Sequence, residues 1–214
     1  RSAVCSQEGV VALTDLLSEV LAHVEPCAKV CAILNEVVLA DAAHTASLEP
    51  IVAFLMEAVE THRLAKEVLP MLHLTANACA NTEVLAALRG AEAIQVVQAV
   101  LDENKSPGVP VAAAKALVAL VADDPVAHSM MRKDGGFSIL LDCIEVHIND
   151  RTVVGACTDL LAMLCANPEN TEVFGNEGVV EILLNMVREH QADPGAVTGG
   201  LACLAALMHG QEIQ

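Results

Sequence analysis

His23, Cys27 and Cys31 stand four residues apart, and on one continuous helix that spacing would set three metal ligands on a single face. Pro26 falls between them and is expected to start a new helix, which breaks the face. The plainer reading is packing, because a free cysteine behaves as a small hydrophobe, and no metal or cofactor is expected. Cys79, Cys143, Cys157, Cys165 and Cys203 likewise lie in apolar stretches without a CxxC pair. This usage implies thiols kept reduced inside the cell, in the cytoplasm, with the nucleus or cilium also compatible.

Three other polar residues interrupt apolar helical stretches. His73 has a side chain that titrates near neutral pH, although a half-buried histidine bonded to a carbonyl is the simpler reading. Lys115 and Asp159 must each pair or face water. No enzyme motif accompanies them: there is no Gly-rich phosphate loop, no G-x-S-x-G and no H-E-x-x-H, so catalysis is not expected. Gly199-Gly200 sits within a helical pattern, where tight packing explains it better than phosphate binding.

Composition narrows the partners. The 214 residues carry a formal net charge of −17, with 28 acidic residues against 11 Lys and Arg. Such a chain lacks the basic stripe that nucleic acid requires. With no Trp, no Tyr and three Phe, it also lacks stacking platforms for single strands. Its most apolar run, 109–121, is interrupted by Lys115 and is too short to cross a bilayer. The acidic surface favours basic or mixed-charge protein partners, and the core must be aliphatic.

A period near 42 residues positions all of these groups. Glu8-Gly9-Val10-Val11 recurs as Glu177-Gly178-Val179-Val180, and Pro50, Glu92 and Gly135 hold the equivalent place between them. The steps from Gly9 through Pro50, Glu92 and Gly135 to Gly178 are 41, 42, 43 and 43 residues. Such a period denotes stacked helical repeats. Each repeat reads as a short first helix, a turn at Gly or its equivalent, and two longer helices. Second helices are expected over 10–22, 51–61, 93–104, 136–148 and 179–189. Third helices are expected over 26–39, 62–75, 110–122, 151–166 and 196–208. Pro70 would then kink the third helix of the second repeat. A short helix is expected over 171–176, stopped by Gly178. The five repeats span approximately 1–40, 41–81, 82–124, 125–167 and 168–210, in one domain. Both ends fall in phase with the period and neither reads as a polar cap, which suggests a segment of a longer protein with apolar end faces.

The run from Asn167 to Leu184, with its short helix, glycine turn and second helix, resembles the armadillo repeat family. Small-residue third helices such as Ala112-Ala113-Ala114-Lys115 and Gly155-Ala156-Cys157 are similar to that family too, with HEAT repeats the near alternative. The resemblance covers nearly the whole chain and implies an all-α, right-handed α-solenoid. It further implies that third helices line a groove for extended peptides. The groove positions by this resemblance are Asn35, His73, Lys115, Asp159 and Met163, with Cys31, Leu69, Ala119, Ala202 and Ala206 in the same two columns. Import adaptors of the family use Asn and Trp columns; only Asn35 matches, so capture of nuclear-localisation signals is disfavoured. The function implied is a protein-binding scaffold or adaptor. The alternative is a structural part of a cytoskeletal or ciliary assembly, with contacts through the solenoid ends. A lipid-anchored membrane tether, a third possibility, would need an acylation motif beyond these termini.

Overall fold

In a computed structural model the described residues are 7–167, 169–170 and 179–211. They form twelve α-helices and, among the described residues, no strand. The chain divides into two compact units, residues 1–120 and 121–214. The first contains α1 (Gln7–Val20), α2 (Val24–Ala40), α3 (Val52–Thr61), α4 (Leu69–Ala78), α5 (Thr82–Gly90), α6 (Ala93–Glu103) and nearly all of α7 (Val109–Val121). The second contains α8 (Pro125–Lys133), α9 (Gly136–Val146), α10 (Arg151–Cys165), α11 (Val179–Glu189) and α12 (Pro194–Gln211). The expected helix over 171–176 and its stop at Gly178 lie outside the described residues.

Local signals explain where the helices begin. The side chains of Asp41, Asn81, Asp124 and Asn167 each accept a bond from a backbone amide two residues on. These four residues are 40, 43 and 43 apart, so the period is written into the capping oxygens that satisfy otherwise orphan donors. Second helices α6 and α9 open differently, from the left-handed residues Glu92 (φ 57°) and Gly135 (φ 76°). That conformation costs Glu92 about 1 kcal/mol more than it costs a glycine.

In the first repeat, α2 begins at Val24, with Pro26 inside its first turn and His23 just before it. Two further departures from the expected helices fall in the second repeat. Its first segment, Ala42–Ile51, is a 3-10 helix containing Pro50. Its third helix does not run over 62–75: a 3-10 turn at Lys66–Val68 leads into α4, and Pro70 stands in the first turn of α4. A proline there sacrifices only an amide that has no helical partner. Pro70 therefore starts the helix, and the expected kink is absent.

Each second helix presents two apolar rows. Along α3 and its N-cap residue, one row is Ile51, Leu55 and Ala58 and the other is Val52, Met56 and Val59, and all six are buried. α3 packs on α6 within the first unit, and α9 packs on α11 within the second. The third helices approach closely as well. A Cβ on Gly199 would lie 2.7 Å from Thr158 Cγ2, and one on Gly200 would overlap Met186 and Val187. Tight packing is thus the role of this glycine pair.

A bond with the period of the sequence fixes the stacking register. His62 Nε2 lies 2.7 Å from Leu21 O, and His190 Nε2 lies 2.6 Å from Ile148 O. Asn104 Nδ2 donates to Arg63 O at 2.7 Å and to Ala65 O at 3.0 Å. Each accepting carbonyl lies just past the C-terminus of the preceding second helix, where helical partners run out. Imidazole can make this bond only with Nε2 protonated. Together with His147, whose Nε2 is buried without a partner, these residues recur at steps of 42, 43 and 43. The accepting carbonyls also correct the alignment of the first repeat. Leu21 and Arg63 are 42 residues apart, so α1 matches α3 at a step of 42, one more than the step from Gly9 to Pro50.

Asn104→Ala should lower unfolding stability by roughly 1–3 kcal/mol in urea denaturation, because it removes a buried amide and leaves two part-buried carbonyls without their donor. A change below experimental error would show that water replaces the amide. The glycines give a sign test. Gly200→Ala should destabilise by about 1–3 kcal/mol through overpacking. Gly155→Ala, in the helix interior with open space at its Cβ, should stabilise by roughly 0.5–1 kcal/mol. The same titration reads both.

Candidate functional site

Polar side chains are few on the third helices, and that makes their exposed positions informative. α7 has the sequence VPVAAAKALVALV. Ala114 and Ala116 are buried while Lys115, between them, is exposed. On α4, His73 is exposed between buried Leu72 and Leu74. A charge or imidazole at such a place faces water before any partner arrives, which avoids the cost of burying it unpaired.

Asn77 Nδ2 donates to Asn35 Oδ1 at 2.8 Å, joining α4 to α2. Sequence reading set His73 in the row of Asn35; the structure sets Asn77 there, one turn further along α4. The difference has a physical origin: a helix running through Pro70 from residue 62 puts His73 beside Asn35, whereas a helix that starts at Leu69 puts Asn77 there. Asn77 was missed for that reason, although it lies 42 residues after Asn35 and the period alone would have found it. Once the two amides bond each other, Asn77 Oδ1 remains an acceptor and Asn35 Nδ2 a donor. That is the pair of groups a peptide backbone complements.

His73 falls 42 residues before Lys115. Partial shielding of its ring, and then the Lys115 ammonium, hold its pKa below 6.5. The imidazole is therefore neutral at pH 7 and offers one donor and one acceptor. In the second unit, Asp159 is exposed on α10 and Met163 follows one turn later, half-buried. Cys31, in a column suggested by resemblance, is fully buried and does not line a surface.

Cys31, Cys79 and Cys203 are not poised as nucleophiles. Burial, with Cys27 nearby, pushes Cys31 up to about 12, and burial does the same to Cys79. Contact with Cys165, then burial, pushes Cys203 up as well. Thiols so raised stay protonated at neutral pH and act as packing atoms. Cys27 Sγ donates to Val20 O at 3.3 Å, and His23 is exposed. Among the described residues no three His, Cys, Asp or Glu side chains gather as a metal site. A cleft of about 320 Å³ is lined by Asp123, Asp124, Pro125, His128, Ala166 and Asn167. Asp124 and Asn167 there already accept backbone amides, so the cleft lies between two capped turns.

No family model matches the chain, and no curated protein matches it significantly. Among solved structures, the crystal structure of an engineered protein from a structural genomics consortium is similar to it. That protein is 17% identical, with a TM-score of 0.61, over 95% of this chain and 90% of its own. At that identity the likeness concerns the fold alone. No single helix among the described residues is long and apolar enough to cross a membrane.

The His73 environment is directly measurable. In an NMR titration its midpoint should fall below 6.5, and Lys115→Gln should raise it by removing the smaller of the two causes. Because the folded-state pKa is depressed, this residue's contribution to stability should decline as pH drops through 6.5. An unchanged midpoint in the Lys115→Gln protein would show that the ammonium does not act on the ring.

Proposed function

We propose that this chain is a non-catalytic protein-binding scaffold, a right-handed solenoid of armadillo-like repeats that holds extended segments of partner proteins in the cytoplasm. The observation that supports this most is the Asn77–Asn35 amide pair beside exposed His73 and Lys115. These are hydrogen-bonding groups raised on helices that are otherwise aliphatic. A bound strand would use the free amide donor and acceptor for its backbone, and Lys115 would select a carboxylate. Asp159 and Met163 would offer, in the second unit, a counter-charge for a basic side chain and an adaptable apolar contact. The net charge of −17 favours partners with more basic than acidic residues, approached faster at low salt.

Fluorescence anisotropy with extended peptides graded in net charge tests this. Basic and mixed-charge peptides should bind, with affinity falling as salt rises, because exposed pairs are screened over about 8–10 Å at physiological ionic strength. Asn35→Ala with Asn77→Ala should weaken binding roughly tenfold, the worth of one or two hydrogen bonds. Asp159→Lys should weaken basic peptides selectively, and Lys115→Glu should shift preference towards them. Binding that none of these changes alters would remove the groove reading.

A further inference from the structure

Two thiols meet inside the second unit. Cys157 Sγ on α10 lies 3.7 Å from Cys143 Sγ on α9, and both side chains are fully buried. The contact belongs to the way a second helix packs on the third helix of its own repeat. One and two periods earlier the same two places hold Val100 with Ala114 and Ala58 with Leu72, all of them fully buried. In the fifth repeat they hold Met186 and Gly200, where a Cβ added to Gly200 would overlap Met186. The two positions therefore face each other by construction, and among these repeats only the fourth puts a thiol on both.

A facing thiol pair has chemistry that an aliphatic pair lacks. Metal ligation is disfavoured here, because both sulfurs would be ionised away from water, and no third His, Cys, Asp or Glu joins them among the described residues. Closure to a disulfide leaves no charge. It brings the sulfurs from 3.7 Å to about 2.0 Å, which asks each to move by less than about 1 Å. Reach also selects the oxidant. With both sulfurs buried, a bulky disulfide cannot line up on either one, whereas a small hydroperoxide can enter during local opening of the α9–α10 pair.

We propose that Cys143 and Cys157 are a modification site for small hydroperoxides, a reversible staple between α9 and α10. One sulfur attacks the peroxide oxygen: an S–O bond forms, the O–O bond breaks, and the leaving alkoxide takes the thiol proton. The second sulfur then attacks the sulfenic sulfur, forming the S–S bond, and its own proton leaves with the hydroxide as water. Two thiols and one hydroperoxide thus give one disulfide, one alcohol (a second water from hydrogen peroxide) and one water. Two electrons pass from sulfur to oxygen. Reduction by a cellular thiol restores the pair, in keeping with the transient disulfides of reducing compartments. The closed link constrains the unfolded chain and so stabilises the unit. It uses none of the groups assigned to peptide binding, so the two readings stand or fall independently.

Hydrogen peroxide added to the folded chain, followed by alkylation and peptide mapping, decides it. The expected product is a peptide pair joined through Cys143 and Cys157 with two hydrogens lost. The melting midpoint should rise by several degrees and return with dithiothreitol. Cys143→Ala and Cys157→Ala place at each position the residue that Ala58 and Ala114 supply in other repeats, so both variants should fold, which circular dichroism verifies. Each should lose the linked peptide and the rise in melting, and leave its remaining sulfur trappable by a 1,3-dione as sulfenic acid. Cys165→Ala, which removes the thiol that meets Cys203, should keep the link. Absence of the link, a link that needs urea, a wild type that stops at sulfenic acid, or equally fast closure by oxidised glutathione would each overturn this assignment.

Discussion

Each interior second helix in this chain has apolar residues on two rows, and a lone helix cannot bury both. This constraint governs everything else. With Val, Leu, Ile, Met and Ala on two sides, α3 packs on α1 and α6 within the first unit, and α9 on α11 within the second, the nearest-neighbour packing that helical repeats require. The near absence of aromatic rings follows from the same demand. Flat contacts between many equivalent helices favour small, interchangeable side chains over a few large anchors. Gly199 and Gly200 show the limit of that trend, where even a methyl group would collide with Thr158 or Met186.

Apolar rows alone would allow the stack to slip by a turn. The clasps at His62, Asn104 and His190 remove that freedom, because a carbonyl beyond a helix terminus has a fixed location and needs a directional donor. Hydrophobic burial supplies the cohesion, and these bonds supply the register. Asn104 is the strongest instance, with two carbonyls on one amide and the same side chain's oxygen accepting from Ser106 N. The imidazoles at the other two places do the work with a single bond each.

Much of this was legible in the sequence because the period was. The second helices and the third helices near 110–121 and 151–165 follow from spacing, and the capping residues Asp124 and Asn167 coincide with the expected repeat boundaries. What failed was local to the first two repeats. Pro50 and Pro70 each admit two readings, as a break or as a start, and sequence alone does not rank them. That ambiguity propagated into the site, displacing His73 by one turn and hiding Asn77. The match of Gly9 to Pro50 was one residue out, because a repeated string of letters marks a turn less exactly than a carbonyl that must be met. The clasps were hidden for a different reason. His, Asn, His and His at one repeat position look unrelated as letters, and only geometry reveals that all of them stand at the same place beyond a helix end.

The polar groups of the third helices are the counterpart of that aliphatic economy. Asn35 and Asn77 satisfy half of their hydrogen-bonding capacity on each other, and His73 and Lys115 stand exposed between buried neighbours, so each avoids the cost of an unpaired polar group in an apolar setting. The same placement sets how a bound segment would be read: the remaining amide donor and acceptor are indifferent to side-chain identity and serve a backbone, whereas the ammonium selects charge and is screened by salt. A partner would then lose affinity with ionic strength only to the extent that it uses Lys115 or Asp159, and keep the part that its backbone supplies.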